Sequence, residues 1–166
     1  NKVLLAENLF YLNNYKKSKK FYNEIKKIGP IYSWHASKNI SIILSNIEND
    51  KEAISYLEKE FKLISNPNHE IYYEMGNFYK KHEIYENAIK QYTLALKTLK
   101  KDHYLIPKIL EMRGICYERN NEWKKAEKDF LKSLELLPDQ PYVLNYLAYT
   151  WIEKKTNIEK ALNMLK

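Results

Sequence analysis

Four histidines and one cysteine are the side chains of this 166-residue sequence best suited to bind a metal ion or act as a nucleophile. His69 and His82 each precede a glutamate, but neither pair continues into the His-Glu-x-x-His spacing that holds zinc on a helix. With His35 and His103 also standing apart, we expect surface or turn histidines, no metal site and no cofactor. Cys116 allows no internal disulfide and leaves the redox compartment undecided. Without an activating neighbour, it is expected to be a packed or partly exposed thiol.

Carboxylates are abundant, but they lie at solvated helical spacings with lysines nearby, as in residues 122–128. The sequence contains no glycine-rich phosphate loop and no Gly-x-Ser-x-Gly nucleophile motif. We therefore expect no active site in this segment, which predicts a non-enzymatic protein.

The net charge of +7 raises the question of nucleic-acid binding. Arg113 and Arg119 are the only arginines among 28 basic residues, and the richness in lysine, asparagine, isoleucine and tyrosine is typical of an AT-rich genome. Residues 1–66 carry 11 basic and 7 acidic side chains, and residues 103–140 carry 7 of each. We therefore find no strongly basic block and expect no nucleic-acid partner.

The chain lacks an apolar run near the roughly 18 residues that a transmembrane helix needs, so we expect a soluble segment that does not insert into a membrane. It begins at Asn1 without an initiator methionine and stops inside a helical pattern. We therefore expect a fragment of a longer protein. The compartment stays open between the cytoplasm and the periplasm or envelope.

Small residues recur at spacings of 35, 35, 38 and 35, each followed four positions later by an apolar or aromatic residue, which is one helical turn. The pairs are Ser18 and Tyr22, Ala53 and Leu57, Ala88 and Tyr92, Ala126 and Phe130, Ala161 and Leu165. A second series, Ala6, Ser41, Gly76, Gly114 and Ala148, precedes them. Self-similarity at this period predicts ten helices in five antiparallel pairs.

Gly76 and Gly114 occupy equivalent positions inside predicted helices, where glycine costs roughly 1 kcal/mol relative to alanine. We interpret them as points of close helix contact, opposite Ala88 and Ala126. The link after the third pair is longer, around residues 101–104, and predicts either an extra helical turn or a short loop. Pro107 is expected in the first turn of the next helix.

Two windows in tandem resemble the tetratricopeptide repeat (TPR) family, most closely its bacterial members. The first supplies Tyr72, Met75, Gly76, Tyr79, Ala88, Tyr92 and Ala95, and the second Leu110, Arg113, Gly114, Tyr117, Ala126, Phe130, Ser133 and Pro138. The resemblance implies an all-α, right-handed α-solenoid of about five antiparallel helix hairpins in a single array. The implied repeats are 1–32, 33–67, 69–102, 103–140 and a truncated 141–166.

The resemblance also implies that the first helices line a concave groove that binds a peptide or a partner-protein segment. Tyr79, Tyr85, Tyr92 and Tyr117 take framework positions and are expected to pack. The positions turned toward the groove are Tyr73, Asn77, Lys80, Lys81, Glu111, Ile115, Glu118, Arg119, Tyr142, Asn145, Tyr146 and Tyr149. Tyrosines there would serve as anchors, and Asn77 and Asn145 would hold a peptide backbone by paired donor and acceptor contacts.

Three alternatives stay open. These positions could form an ordinary polar surface, or they could pack against a missing sixth repeat. The whole segment could instead be a structural spacer or oligomerisation element of a larger enzyme or envelope-anchored protein, self-associating through the C-terminal edge near Leu162 and Leu165. The lysine and asparagine clamp with which chaperone-binding members grip a C-terminal carboxylate is incomplete here, so that partner class is disfavoured.

Overall fold

The computed structural model describes residues 1–164, apart from the side chain of Ile31, and within that range it contains ten α-helices and no β-strand. They are α1 Lys2–Tyr11, α2 Tyr15–Ile25, α3 Pro30–Ile47, α4 Asp50–Lys62, α5 His69–Lys81, α6 Tyr85–Thr98, α7 Ile106–Arg119, α8 Trp123–Leu136, α9 Pro141–Glu153 and α10 Ile158–Met164. Each odd-numbered helix packs against the even-numbered helix that follows it. The predicted all-α repeat fold is confirmed, while Leu165 lies outside the described residues.

The chain divides into two compact units, one of residues 1–66 and one that begins at Pro67. In the first unit, the core includes Tyr22, Ile25 and Ile40. In the second, a core between α8, α9 and α10 includes Phe130, Leu147 and Trp151. The single array of five repeats stays a prediction.

Small residues let the two helices of a pair approach closely. In the first pair, the Ser18 hydroxyl on α2 donates to the carbonyl oxygen of Ala6 on α1 at 2.8 Å. A Cβ placed on Gly76 would lie 2.6 Å from Cε1 of Tyr92, and one on Gly114 would lie 2.6 Å from Cε1 of Phe130. The predicted close contacts are confirmed. Their nearest atoms, however, belong to these buried rings rather than to the expected alanines.

Four of the hairpin turns share one backbone conformation. Asn13, Glu83, Asn121 and Lys155 follow the helix ends with φ of 57°, 60°, 60° and 52°. The next residue then donates its N–H back into the helix, as Ile84 does to Tyr79 at 2.9 Å, which satisfies a terminal carbonyl.

The link between α6 and α7 is a non-helical segment of residues 99–105, and Pro107 lies in the first turn of α7 as predicted. A second link, between α8 and α9, is fixed by what we call the Gln140 clasp. The Gln140 amide donates to the carbonyls of Ser133 and Leu137 at 3.0 and 2.6 Å. The Ser133 hydroxyl lies 2.8 Å from Pro107 O and 3.0 Å from Gln140 Oε1, so its single proton is shared between these acceptors.

Candidate functional site

The predicted site residues of the second unit lie on its three first helices, α5, α7 and α9, at spacings of three, four, seven or eight positions that place them on one side of each helix. We call this the α5–α7–α9 face, and it comprises Tyr73, Asn77, Lys80, Lys81, Glu111, Ile115, Arg119, Tyr142, Asn145, Tyr146 and Tyr149. Helix α5 contacts α7. The face therefore lies within one compact unit.

Helix α9 carries the most exposed part of this face. Its opposite side is buried through Val143, Leu147 and Trp151. Tyr142 and Tyr149 leave 76% and 70% of their surface exposed, and Asn145 between them is also exposed. Two large aromatic side chains two helical turns apart are thus presented to solvent.

Tyr146 connects α9 to the neighbouring helices. Its ring stacks on Phe130 with centroids 5.9 Å apart. A hydrogen bond with Tyr146, followed by the charge of Glu118, raises the pKa of Arg119. The Arg119 side chain remains half exposed. The guanidinium therefore stays charged beside Tyr146, where it lies 3.5 Å from the Glu118 carboxylate and can bind a further carboxylate.

Glu111 and Tyr142 line one cleft with a volume of about 260 Å³. Its other lining residues are Tyr104, Pro107, Lys108, Leu137, Gln140 and Pro141. The side chain of Glu111 is buried and pairs with the Lys108 ammonium at 2.8 Å. Glu111 therefore lines the cleft with its negative charge already balanced by Lys108. The exposed Tyr104 and Tyr142 provide the aromatic surface of the cleft.

Helix α5 presents a less accessible surface. The Tyr92 hydroxyl donates to Asn77 Oδ1 at 2.7 Å, and the half-buried Tyr73 ring lies 6.1 Å from that of Tyr92. The Asn77 oxygen thus already accepts one hydrogen bond, while its N–H donors and its second lone pair stay available to a partner. Lys81 is exposed and Lys80 is half buried.

Ile115 and Cys116 belong to the interior. Ile115 packs partly buried against the core between α8, α9 and α10. Cys116 is fully buried, and burial raises the pKa of its thiol to about 12, against the opposing charge of Lys80. The expected packed, unreactive thiol is in agreement with this burial.

Sequence reasoning missed Tyr104 and Lys108, which complete the cleft. An exposed tyrosine in an unusually long link was the available signal for Tyr104. It also missed Arg113, whose guanidinium binds both Asp129 oxygens at 2.7 and 2.8 Å and Thr93 Oγ1 at 3.0 Å. This largely buried arginine joins α6, α7 and α8, and so helps to hold in place the helix that carries Glu111, Ile115 and Arg119.

Within residues 1–164, no three His, Cys, Asp or Glu side chains are grouped so as to hold a metal ion. None of the helices found there is long and apolar enough to cross a membrane.

Comparisons with known proteins agree with this architecture. The Tetratricopeptide repeat family model matches residues 107–140, and no curated protein sequence matches the chain. A MamA structure from Desulfovibrio magneticus RS-1 is 15% identical, with a TM-score of 0.71 over 99% of this chain and 92% of that one. Pseudomonas aeruginosa PilF is 20% identical, with a TM-score of 0.72 over 98% and 71%. YrrB, described as a TPR protein with an unusual peptide-binding site, is 17% identical, with a TM-score of 0.66 over 99% and 81%. At these identities the likeness concerns the fold.

Proposed function

We propose that this chain, which shares its fold with solved TPR proteins and whose residues 107–140 match the tetratricopeptide repeat family, is an interaction scaffold whose α5–α7–α9 face binds a peptide or a segment of a partner protein. The fold is generally that of non-enzymatic scaffolds, and the proposal gives the chain no catalytic role. The observation that carries the proposal is the ladder on α9, where Tyr142 and Tyr149 are exposed on the same side of a well-packed helix.

The ladder suits an extended or helical segment laid across it. Each tyrosine offers a large apolar ring with a polar end and loses little conformational entropy on binding, because it has only two side-chain torsions. The cleft beside Tyr142 adds a recess of about 260 Å³ that can receive one apolar side chain of the partner. Apolar anchoring therefore comes from Tyr142, Tyr149 and the cleft.

The charges of the face favour a partner with an acidic group. Lys81 is an exposed cation, Arg119 is exposed and lies 3.5 Å from the Glu118 carboxylate, and Glu111 is buried and paired with Lys108. Asn145 is exposed and can donate to, and accept from, a peptide backbone. The peptide-binding site described for YrrB, which shares the fold, supports this use of the scaffold.

A second candidate function is self-association through the C-terminal edge. Ile158 and Leu162 on α10 are exposed apolar residues at this edge, while Leu165, also predicted to take part, lies outside the described residues. A concentration-dependent mass in analytical ultracentrifugation that is abolished by Ile158→Ser with Leu162→Ser would favour this candidate.

The proposed function is tested by selecting peptides from a random library on the purified chain and measuring their affinities by fluorescence anisotropy. Replacing Tyr142 and Tyr149 together by alanine should weaken binding at least tenfold, because aromatic hot spots contribute roughly 2 kcal/mol or more each. Tyr11→Ala is the matched control, since Tyr11 is equally exposed but lies in the first unit. Each variant must keep the wild-type melting temperature.

The comparison of variants decides the outcome. Weaker binding for the double variant and unchanged binding for the control supports the face as the binding site. Equal affinities for the wild type and the double variant would show that Tyr142 and Tyr149 do not contribute to peptide binding. Similar losses in both variants would place the peptide elsewhere.

A further inference from the structure

The positive charge of the chain is concentrated around α2. Residues 15–28 contain six lysines and one glutamate, a net charge of +5, whereas the whole chain carries +7. Two of the charges in this stretch are neutralised within the fold, because Lys26 pairs with Glu60 at 2.5 Å and Glu24 pairs with Lys2 at 2.8 Å. The charge count over residues 1–66 conceals this concentration, because the residues of that range outside 15–28 carry nearly equal numbers of basic and acidic side chains.

The five other lysines form what we call the α2 lysine face, which comprises Lys16, Lys17, Lys19, Lys20 and Lys27. Ser18, Tyr22 and Ile25 turn the other side of the helix into the core of the first unit. Lys16 and Lys20 are exposed on the outer side of α2, and Lys27 is exposed in the turn that follows the end of the helix at Ile25. Among the residues that the structure describes, none of the five lysines has a carboxylate within ion-pair distance.

This arrangement opposes the electrostatics of its own helix. Lysines near a helix N-terminus face the positive end of the helix dipole, yet Lys16 and Lys17 lie in the first turn of α2, which contains no acidic residue. Helix α4 in the same unit has the favourable order, with Asp50 and Glu52 in its first turn and lysines in its last. The local stability of the helix therefore does not account for the lysines of α2.

We propose that the α2 lysine face docks the protein onto an anionic lipid surface. Clusters of four to eight basic residues on one helix are the pattern that recognises acidic headgroups. All five residues are lysine, a flexible point charge suited to a fluid array of headgroups, whereas specific carboxylate and phosphate recognition favours the bidentate arginine. Lysine is also depleted in protein–protein interfaces.

Exposed apolar residues beside the lysines support the same ligand. Tyr11 at the end of α1 and Leu12 in the turn that leads into α2 leave 78% and 76% of their surface exposed. Aromatic and apolar side chains next to basic residues are favoured at the headgroup level of a bilayer. Tyr11 and Leu12 could therefore contact the boundary between the headgroups and the acyl chains. A polyanion in solution has no such apolar region. The docking is independent of the α5–α7–α9 face.

The test measures binding of the full chain to vesicles by co-sedimentation. Phosphatidylcholine vesicles containing about one-third phosphatidylserine should bind the protein, and pure phosphatidylcholine vesicles should not. Replacing Lys16, Lys20 and Lys27 together by glutamine should lower the vesicle affinity roughly 100-fold, since each lysine near an anionic surface contributes about fivefold. Raising the salt to about 1 M should have a comparable effect.

The matched control is the triple glutamine variant of Lys124, Lys128 and Lys132 on α8. These lysines are also exposed and follow one another at intervals of four positions, but Glu127 and Glu135 lie among them and Glu135 pairs with Lys132 at 2.7 Å. Both triple variants have the same net charge, so only the position of the charge differs. Unchanged far-UV circular dichroism and melting temperature in both variants exclude unfolding as a cause.

Four outcomes separate the alternatives. Loss of vesicle binding in the α2 variant alone supports the proposal, and a further loss with Tyr11→Ser and Leu12→Ser strengthens it. Equal losses in both triple variants would show a nonspecific effect of net charge and overturn it. Binding of an oligonucleotide or of polyglutamate with the same dependence on α2 lysines, at matched charge concentration and without a preference for vesicles, would also overturn it. Failure to bind anionic vesicles at low salt would reject it outright.

Discussion

Replacing Gly76 by alanine would place a methyl group against the buried ring of Tyr92. The added Cβ would lie 2.6 Å from Cε1, 2.7 Å from Cδ1 and 3.0 Å from Cζ. Carbon atoms in contact are normally about 3.5 to 4.0 Å apart, so the ring or α5 must move by about 1 Å. Tyr92 is fully buried and its hydroxyl is held by Asn77 at 2.7 Å. The ring therefore cannot move aside without loosening that hydrogen bond.

The magnitude follows from opposing contributions. Overpacking a core by a methyl group costs about 1 to 3 kcal/mol, and weakening the Tyr92 hydrogen bond costs about 1 kcal/mol. Alanine favours the helix over glycine by about 1 kcal/mol. We therefore expect Gly76→Ala to lower the free energy of unfolding by about 2 kcal/mol. Gly114→Ala meets Phe130 at similar distances but strains no hydrogen bond, so its cost should be about 1 kcal/mol smaller.

Urea unfolding followed by far-UV circular dichroism measures these differences. A Tyr92→Leu background provides the control, because it removes the ring atoms that the new methyl group would meet. In that background Gly76→Ala should be neutral or stabilising by up to about 1 kcal/mol. The two substitutions should thus be strongly coupled in a double-mutant cycle.

Two results would refute this reasoning. A wild-type or higher stability for Gly76→Ala would show that Tyr92 yields freely and that the glycine is not required by the contact. An unchanged cost of Gly76→Ala in the Tyr92→Leu background would show that the destabilisation has another origin.

Three further outcomes can be checked in the same way. Asp129→Asn should lower the free energy of unfolding by about 3 kcal/mol, because it leaves the buried guanidinium of Arg113 without its charged partner; a loss below about 1 kcal/mol in urea unfolding would contradict this. Glu83→Gly should raise the free energy of unfolding by about 0.5 to 1 kcal/mol by relieving a left-handed backbone with φ of 60°, whereas Asn121→Gly, where asparagine already tolerates this conformation, should change it less. Cys116 should resist iodoacetamide in the native protein near pH 8 and react fully in urea, because burial raises the pKa of its thiol to about 12 and only the thiolate reacts; rapid native alkylation would contradict its burial.

The repeat period was sufficient to predict the helices, because one buried stripe per helix and one turn per hairpin recur in the sequence. The spacing of Ala88 and Ala126 correctly marked buried positions. It did not indicate that the rings of Tyr92 and Phe130, one turn later, lie against the glycines. That arrangement depends on side-chain torsions, which a linear pattern does not encode.

The candidate face was predicted only as a set of positions. Helical spacing places Tyr142 and Tyr149 on one side of α9, but the burial of Glu111 depends on the link of residues 99–105 and on its pairing with Lys108. The engagement of Asn77 depends on a hydroxyl from the paired helix. Such contacts join residues distant in the sequence, so they follow from the packed structure and not from the repeat pattern.

The Gln140 clasp has a consequence for the rate at which a partner would bind. It fixes the end of α8, the start of α9 and the carbonyl of Pro107 on α7 relative to one another. The distance between the α7 and α9 parts of the face is then set before a ligand arrives. Association should consequently be a single concentration-dependent step without a slow rearrangement phase, and affinity differences between peptides should reside mainly in their dissociation rates.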